Sequence, residues 1–366
     1  MKVDFANLNK AYQDHKEEFD VAISDVVSNS RFIMGKEVFE LEEKLSEFTG
    51  SKYAISCSSG TDALILALMA LDIKPGDEVI TTPFTFIATA ETIALVGAVP
   101  VFVDIDEETY NIDVNKIEAK ITSKTKAIMP VSLYGQIADM DAINAIAEKH
   151  NIYVIEDAAQ SFGATYKGKQ SCNTSTIGCT SFFPAKPLGC FGDGGALFTN
   201  DKDLADKIVS MRIHGQTERY YHKYVGIGGR LDNLQAGVLL VKMKYYNTDI
   251  KNRQRVAEAY TKALEGTSVV RPFVKEDNTS VWAQYSLRVQ NRDQFQEKMK
   301  EEGIPTAIHY PKPLHLQECF EYLGLKKGDF PIAENVSNEI ISLPMNPYLT
   351  DEDIKLVTDA VKKHHS

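Results

Sequence analysis

Ile152-Tyr153-Val154-Ile155-Glu156-Asp157-Ala158-Ala159-Gln160 is an apolar run that stops on two adjacent carboxylates and then on small residues. An apolar run without polar alternation predicts a strand buried on both faces, the habit of parallel sheets. In an open α/β sheet the ends of such strands line the ligand crevice, so Glu156 and Asp157 stand where a ligand would lie. An aspartate there can equally cap a turn or a helix. The same kind of strand is predicted at 54–56, 78–82, 99–104 and 127–132, alternating with helices at 62–71, 88–96 and 140–150. That alternation is the mark of βαβ units and predicts an α/β fold around a mostly parallel sheet.

Downstream, Ser181-Phe182-Phe183-Pro184-Ala185-Lys186-Pro187-Leu188-Gly189 reads as a short apolar strand ending in a lysine, followed by Gly192-Asp193-Gly194-Gly195. An ammonium among Phe, Pro and Leu is costly to bury. A lowered pKa or a covalent bond to an aldehyde relieves the cost, and both make the amine useful as a nucleophile. The plain alternative is a lysine snorkelling from a loop. Upstream, Ser56-Cys57-Ser58-Ser59-Gly60-Thr61-Asp62-Ala63 is a small, hydroxyl-rich turn opening a helix. Free N–H groups and the helix dipole make such a turn an anion site, or simply a capped helix start. Thr82-Pro83-Phe84-Thr85-Phe86 offers aromatics that could stack on a flat ring or pack in the core. Anion turn, aromatic, aspartate and lysine, in that order, spell a site for pyridoxal 5′-phosphate (PLP), whose protonated pyridine nitrogen needs an acidic partner.

The whole chain resembles the DegT/StrS-type sugar-nucleotide aminotransferases. Its most specific matches are Glu156–Gln160 and Ser181–Lys186, supported by Arg31-Phe32-Ile33-Met34-Gly35, His309-Tyr310-Pro311 and Ser342-Leu343-Pro344. The resemblance implies an aspartate-aminotransferase-like fold (PLP fold type I). A large PLP-binding domain with an N-terminal helical segment is expected over 1–240, and a linking helix with a smaller α+β C-terminal domain over 241–366. It implies Lys186 as the residue that binds PLP and shuttles the proton, and Asp157 as the partner of the ring nitrogen. Phe86 would stack on the ring, Gln160 would bond its hydroxyl, and Gly60, Thr61 and Ser181 would hold the phosphate. Phe32, Gly35, Arg230, His309 and Tyr310 would face the sugar nucleotide, with glutamate as amino donor and no metal. Gly228-Gly229-Arg230-Leu231-Asp232, with Gln235, looks most like members acting on UDP-2-acetamido-2-deoxy-3-oxo-glucuronic acid for bacterial surface polysaccharide such as lipopolysaccharide O-antigen. A 4-oxo UDP- or dTDP-sugar is the alternative. In the family the loop matching 214–230 crosses to a neighbouring subunit, which implies a homodimer with shared sites. Many members carry Asn where this chain has Gly228, so backbone N–H would have to replace a side-chain contact to the neighbour's phosphate.

Composition agrees with an ordinary globular enzyme. The 366 residues are 43% hydrophobic and 25% charged. The net charge of −11 argues against nucleic acid and against an anionic membrane as partner. Five cysteines without a C-x-x-C pair argue against a disulfide framework or zinc and for a cytoplasmic location. The N-terminus lacks a signal-peptide pattern, and no long apolar run predicts a membrane span. Beyond 200, one helix or two joined helices are expected over 231–265, strands at 281–289 and 306–309, and helices at 292–302, 331–341 and 351–363. Three other functions share these motifs. A PLP-dependent sugar dehydratase is disfavoured because its relatives carry histidine at the position of Lys186. A non-catalytic binding protein is disfavoured by the presence of both Asp157 and Lys186. A PLP enzyme acting on amino acids alone would need an arginine for the donor carboxylate, and the sequence does not single one out.

Overall fold

The computed structural model describes residues 3–365. Three helices open the chain, α1 (Leu8–Asp14), α2 (Lys16–Asn29) and α3 (Lys36–Thr49). The central sheet follows: β1 (Tyr53–Cys57), β2 (Glu78–Thr81), β3 (Val99–Phe102), β4 (Thr125–Ile128), β5 (Tyr153–Asp157), β6 (Ile177–Ser181) and β7 (Gly195–Thr199). Their spatial order is β1-β7-β6-β5-β4-β2-β3, with β7 alone running antiparallel to its neighbours β6 and β1.

Period-2 alternation assigns the strand side chains to two layers. Ile155 joins Ile55, Val79, Ile177 and Leu197 under α4 (Gly60–Ala70), α5 (Ala88–Leu95) and α7 (Lys202–Met211). Val154, Ile80 and Ile128 face the other way, onto Ile143 of α6 (Met140–His150). On that same side Leu41 and Leu45 of α3 pack with Phe198 and with Leu239 of α8 (Asn233–Ala263). The expectation of one or two helices over 231–265 resolves as one continuous helix, Asn233–Ala263, and the boundary expected between 240 and 241 falls inside it.

Beyond α8, β8 (Tyr285–Arg288) pairs antiparallel with β9 (Ile340–Leu343), and α9 (Arg292–Glu301), α10 (Pro331–Glu339) and α11 (Asp351–His364) surround them. Tyr260 of α8 packs in this second core with Tyr285, Leu287, Phe295, Leu343 and Val357.

Four local expectations change. The strand expected at 127–132 starts earlier and stops at Ile128, because Pro130 has no N–H to donate and only Val131 bridges onward, to Asp157. The apolar stretch 181–186 is not a strand: β6 ends at Ser181, Pro184 and Pro187 interrupt any ladder, and the Lys186 N–H closes a turn on the Phe183 carbonyl at 2.8 Å. The segment 306–309 contributes only a bridge from Ala307 to Ser342, and residues 340 and 341, expected to end a helix, belong to β9. The loop 214–230 holds a small hairpin, Gln216–Glu218 against Tyr221–His222. Among the described residues no helix is long and apolar enough to cross a membrane.

Candidate active site

Strand ends β5 and β6, the start of α4, the turn before α5 and the segment around 309 enclose one cavity of about 510 Å³. Its size suits an organic cofactor with part of a substrate. Asp157 and Glu156 are neighbours on β5 and therefore point to opposite faces. Asp157 opens into the cavity; Glu156 is fully buried behind it, accepting from Ser132 Oγ (2.8 Å), Ser171 Oγ (3.0 Å), the Cys172 N–H (2.8 Å) and Thr174 Oγ1 (3.0 Å). Burial raises the Asp157 carboxyl above the ordinary aspartate range, against the Thr89 hydroxyl, the Ala159 N–H and the Lys186 charge. Thr89 Oγ1 donates at 2.8 Å and the Ala159 N–H at 3.2 Å.

Lys186 lies between this cavity and a smaller one toward α8. The residue is half-buried. Burial pushes the amine down to about 8, against the opposing pull of Asp157.

The anion turn is built at the start of α4. Ser59 caps the helix by accepting from the Asp62 N–H at 3.0 Å. Gly60 and Thr61 follow as its first residues, so their N–H groups have no carbonyl four residues back within the helix. A Cβ on Gly60 would lie 2.6 Å from Ser181 Cβ, so the turn can meet the end of β6 only without a side chain at 60. This glycine-dependent cradle, with the Ser181 hydroxyl beside it, fits a phosphate monoester. The Lys186 amine and the buried carboxylate across the cavity fit the aldehyde and ring-nitrogen ends of PLP. Phe86 is 55% exposed, and its ring is tilted 42° from that of Tyr310 at 6.2 Å, which leaves its face open to a planar ligand.

Gln160 is locked between main chain and side chain: its Oε1 accepts from the Tyr134 N–H at 2.9 Å and its Nε2 donates to Tyr310 Oη at 3.2 Å. His309 Nδ1 pairs with Ser342 Oγ at 2.9 Å, and burial, with the Lys186 charge adding to it, pushes the imidazole down to about 4. Tyr134 Oη donates to the His309 carbonyl.

Of the residues singled out from sequence, Gly60, Thr61, Phe86, Asp157, Gln160, Ser181, Lys186, His309 and Tyr310 line this cavity. Phe32, Gly35 and Arg230 do not. The Phe32 carbonyl accepts from the Asn233 N–H at 2.9 Å, and Gly35 is glycine because a Cβ would press within 2.3 Å of Asn233 Nδ2. Arg230 follows a loop held to its own chain, where the Gly229 carbonyl accepts from the Ser58 N–H at 3.0 Å. Sequence reasoning missed Thr89, Tyr134 and Gln284 and gave Ser342 no role. A threonine four residues after Thr85 on a short helix hinted at a polar face, but its bond to Asp157 spans 68 residues.

The sequence profile of the DegT/DnrJ/EryC1/StrS aminotransferase family matches residues 13–362. The UDP-2-acetamido-2-deoxy-3-oxo-D-glucuronate aminotransferase of Pseudomonas aeruginosa is 52% identical over 359 residues, 98% of this chain and 99% of that protein. A crystal structure of a DegT DnrJ EryC1 StrS aminotransferase from Brucella abortus superposes with a TM-score of 0.97 at 42% identity, covering 100% of both chains. The NtdA structure from Bacillus subtilis, with bound cofactor PMP, superposes with a TM-score of 0.91 at 33% identity over 98% of this chain and 84% of that one. By sequence profile, identity and superposition alike, the chain belongs to the DegT/DnrJ/EryC1/StrS aminotransferase family and is a PLP-dependent aminotransferase.

Proposed function

We propose that the protein moves an amino group from glutamate to the keto carbon of UDP-2-acetamido-2-deoxy-3-oxo-glucuronic acid, in the cytoplasm, as a homodimer, on the way to a surface polysaccharide such as O-antigen. The observation that carries the aminotransferase chemistry is the meeting of Lys186, Asp157 and the Gly60–Ser181 cradle in one cavity. The substrate choice is supported by the likeness to the Pseudomonas protein that bears that name.

Bound PLP supplies an electrophilic carbonyl carbon and an electron sink. The N–H groups of Gly60 and Thr61 and the Ser181 hydroxyl would hold its phosphate, and Phe86 would stack on its ring. The Asp157 carboxylate would keep a proton on the ring nitrogen, an opposite charge that would offset the burial cost of that carboxylate. Lys186 Nζ, held near neutrality, takes the proton from the α-carbon of the amino donor and delivers one to the former keto carbon of the acceptor. His309 stays uncharged at working pH and, with Tyr310, orients the sugar through hydrogen bonds. Arg230, absent from its own chain's cavity, serves the neighbour's: its guanidinium fork suits the uronate carboxylate or the diphosphate. Phe32 and Gly35 shape the same rim.

The test loads the protein as its pyridoxamine form and offers 3-oxo and 4-oxo UDP- and dTDP-sugars. Recovery of the cofactor's visible absorbance with the 3-oxo uronic acid is the expected result. Recovery with a 4-oxo sugar alone would reassign the substrate.

A further inference from the structure

Arg212, at the end of α7, is among the most completely buried side chains described, 1% exposed, yet it touches no part of the cavity. Its Nη1 donates to the Ser56 carbonyl at 2.6 Å and to the Glu42 carboxylate of α3. The same carboxylate oxygen accepts from the Ser56 N–H at 2.9 Å and from Ser56 Oγ at 2.8 Å. Side chain and acid together therefore grip Ser56, four residues before Gly60, where β1 turns into the phosphate cradle. The main chain of Arg212 does something different. Its carbonyl accepts from the Gly229 N–H at 2.9 Å, and the Gly229 carbonyl accepts from the Ser58 N–H at 3.0 Å. One residue thus fixes two loops to each other: the turn Ser56–Gly60 and the segment that ends in Arg230.

We propose that Arg212 is a positioning residue that couples the cofactor-phosphate cradle of one subunit to the sugar-nucleotide site of its neighbour. The proposal rests on the reading of Arg230 as a residue donated across the dimer. Its physical basis is the closed ring Arg212–Ser56–Ser58–Gly229–Arg212. A shift of the cradle moves Ser58, Ser58 carries the Gly229 carbonyl with it, and Arg230 is the next residue. Both bonds leave one nitrogen, Nη1, at the end of a planar group held rigidly in place; a lysine keeps the charge, but its flexible stem does not fix a donor at that point.

Arg212→Lys keeps a cation opposite Glu42, and Glu42→Gln is a second route to the same loosening should the first variant fold poorly. Each is compared with Arg230→Ala and with the double variant in steady-state kinetics against both substrates. Arg212→Lys should raise KM for the sugar nucleotide about tenfold, in line with loss of one charge-assisted bond, while KM for glutamate moves less than about twofold. In the Arg212→Lys/Arg230→Ala protein the second change should add almost nothing to the first, the signature of residues acting through one another. Equal changes in both KM values, or full additivity, overturn the coupling and leave Arg212 a structural ion pair. An Arg230→Ala protein with unchanged sugar-nucleotide KM instead overturns the underlying reading of Arg230.

Discussion

Burial pushes the Lys186 amine down to about 8, and the consequence can be measured directly. Below pH 8 the Lys186 nitrogen is protonated and has no lone pair; above it the lone pair is free. PLP capture by the cofactor-free protein, followed by absorbance, should therefore accelerate as pH rises through about 8 and level off above it. A profile still climbing at pH 10 would show an ordinary exposed amine. Asp157 makes the matching demand at the other end of the cavity. Asp157→Asn should retain cofactor but lose turnover by about a hundredfold or more, because an amide cannot hold a cationic ring nitrogen. Thr89→Val removes one of the bonds that oppose the burial shift of Asp157 and should cost about tenfold in kcat, with the cofactor still bound. Single-turnover rates with glutamate check both, and near-normal rates in Asp157→Asn would sink the ring-nitrogen role.

The start of α4 is the end of the cavity proposed to take the cofactor phosphate. Its cap, Ser59, uses the Asp62 N–H, so the two residues between them keep theirs for a ligand. Gly60→Ala places a methyl group 2.6 Å from Ser181 Cβ, and β6 or the helix must then move. The expected outcome is a protein that folds with normal helix content but binds PLP at least about tenfold more weakly, read by equilibrium dialysis. Unchanged affinity would mean that the phosphate lies elsewhere. The cap, the glycine and the hydroxyls were legible in the linear pattern, because helix starts are local events. The turn that carries Lys186 was not: its apolar letters match a strand, and only the two prolines signalled otherwise. The sites where β8 and β9 begin and end were also hidden, since Ile340 and Ile341 suit either a helix end or a strand until a partner strand decides.

The proposed homodimer can be tested through Arg230, which does not line its own chain's cavity. If Arg230 serves the neighbouring subunit, two defective proteins should rescue each other when assayed at a sugar-nucleotide concentration well below the KM of the Arg230→Ala protein. Lys186→Ala lacks the amine in both its sites, and Arg230→Ala lacks the fork in both of its sites. Mixed dimers contain one site with both residues intact, so after subunit exchange activity should return to about a quarter of the normal value. No recovery, with exchange verified by mass, would place Arg230 in its own chain's site. The linear order of residues alone determined the alternation of strands and helices, the buried character of β5, and the chemical types at 60, 157, 181 and 186, because each depends on local pattern or on one side chain's own chemistry. Only the tertiary structure decided that Asp157 faces the cavity while Glu156 is spent on four internal bonds, that Thr89 supports the former, and that Phe32 and Arg230 stand apart from it. Those facts come from contacts between segments dozens of residues apart, set by how two layers pack on one sheet, and no periodicity within a segment encodes them.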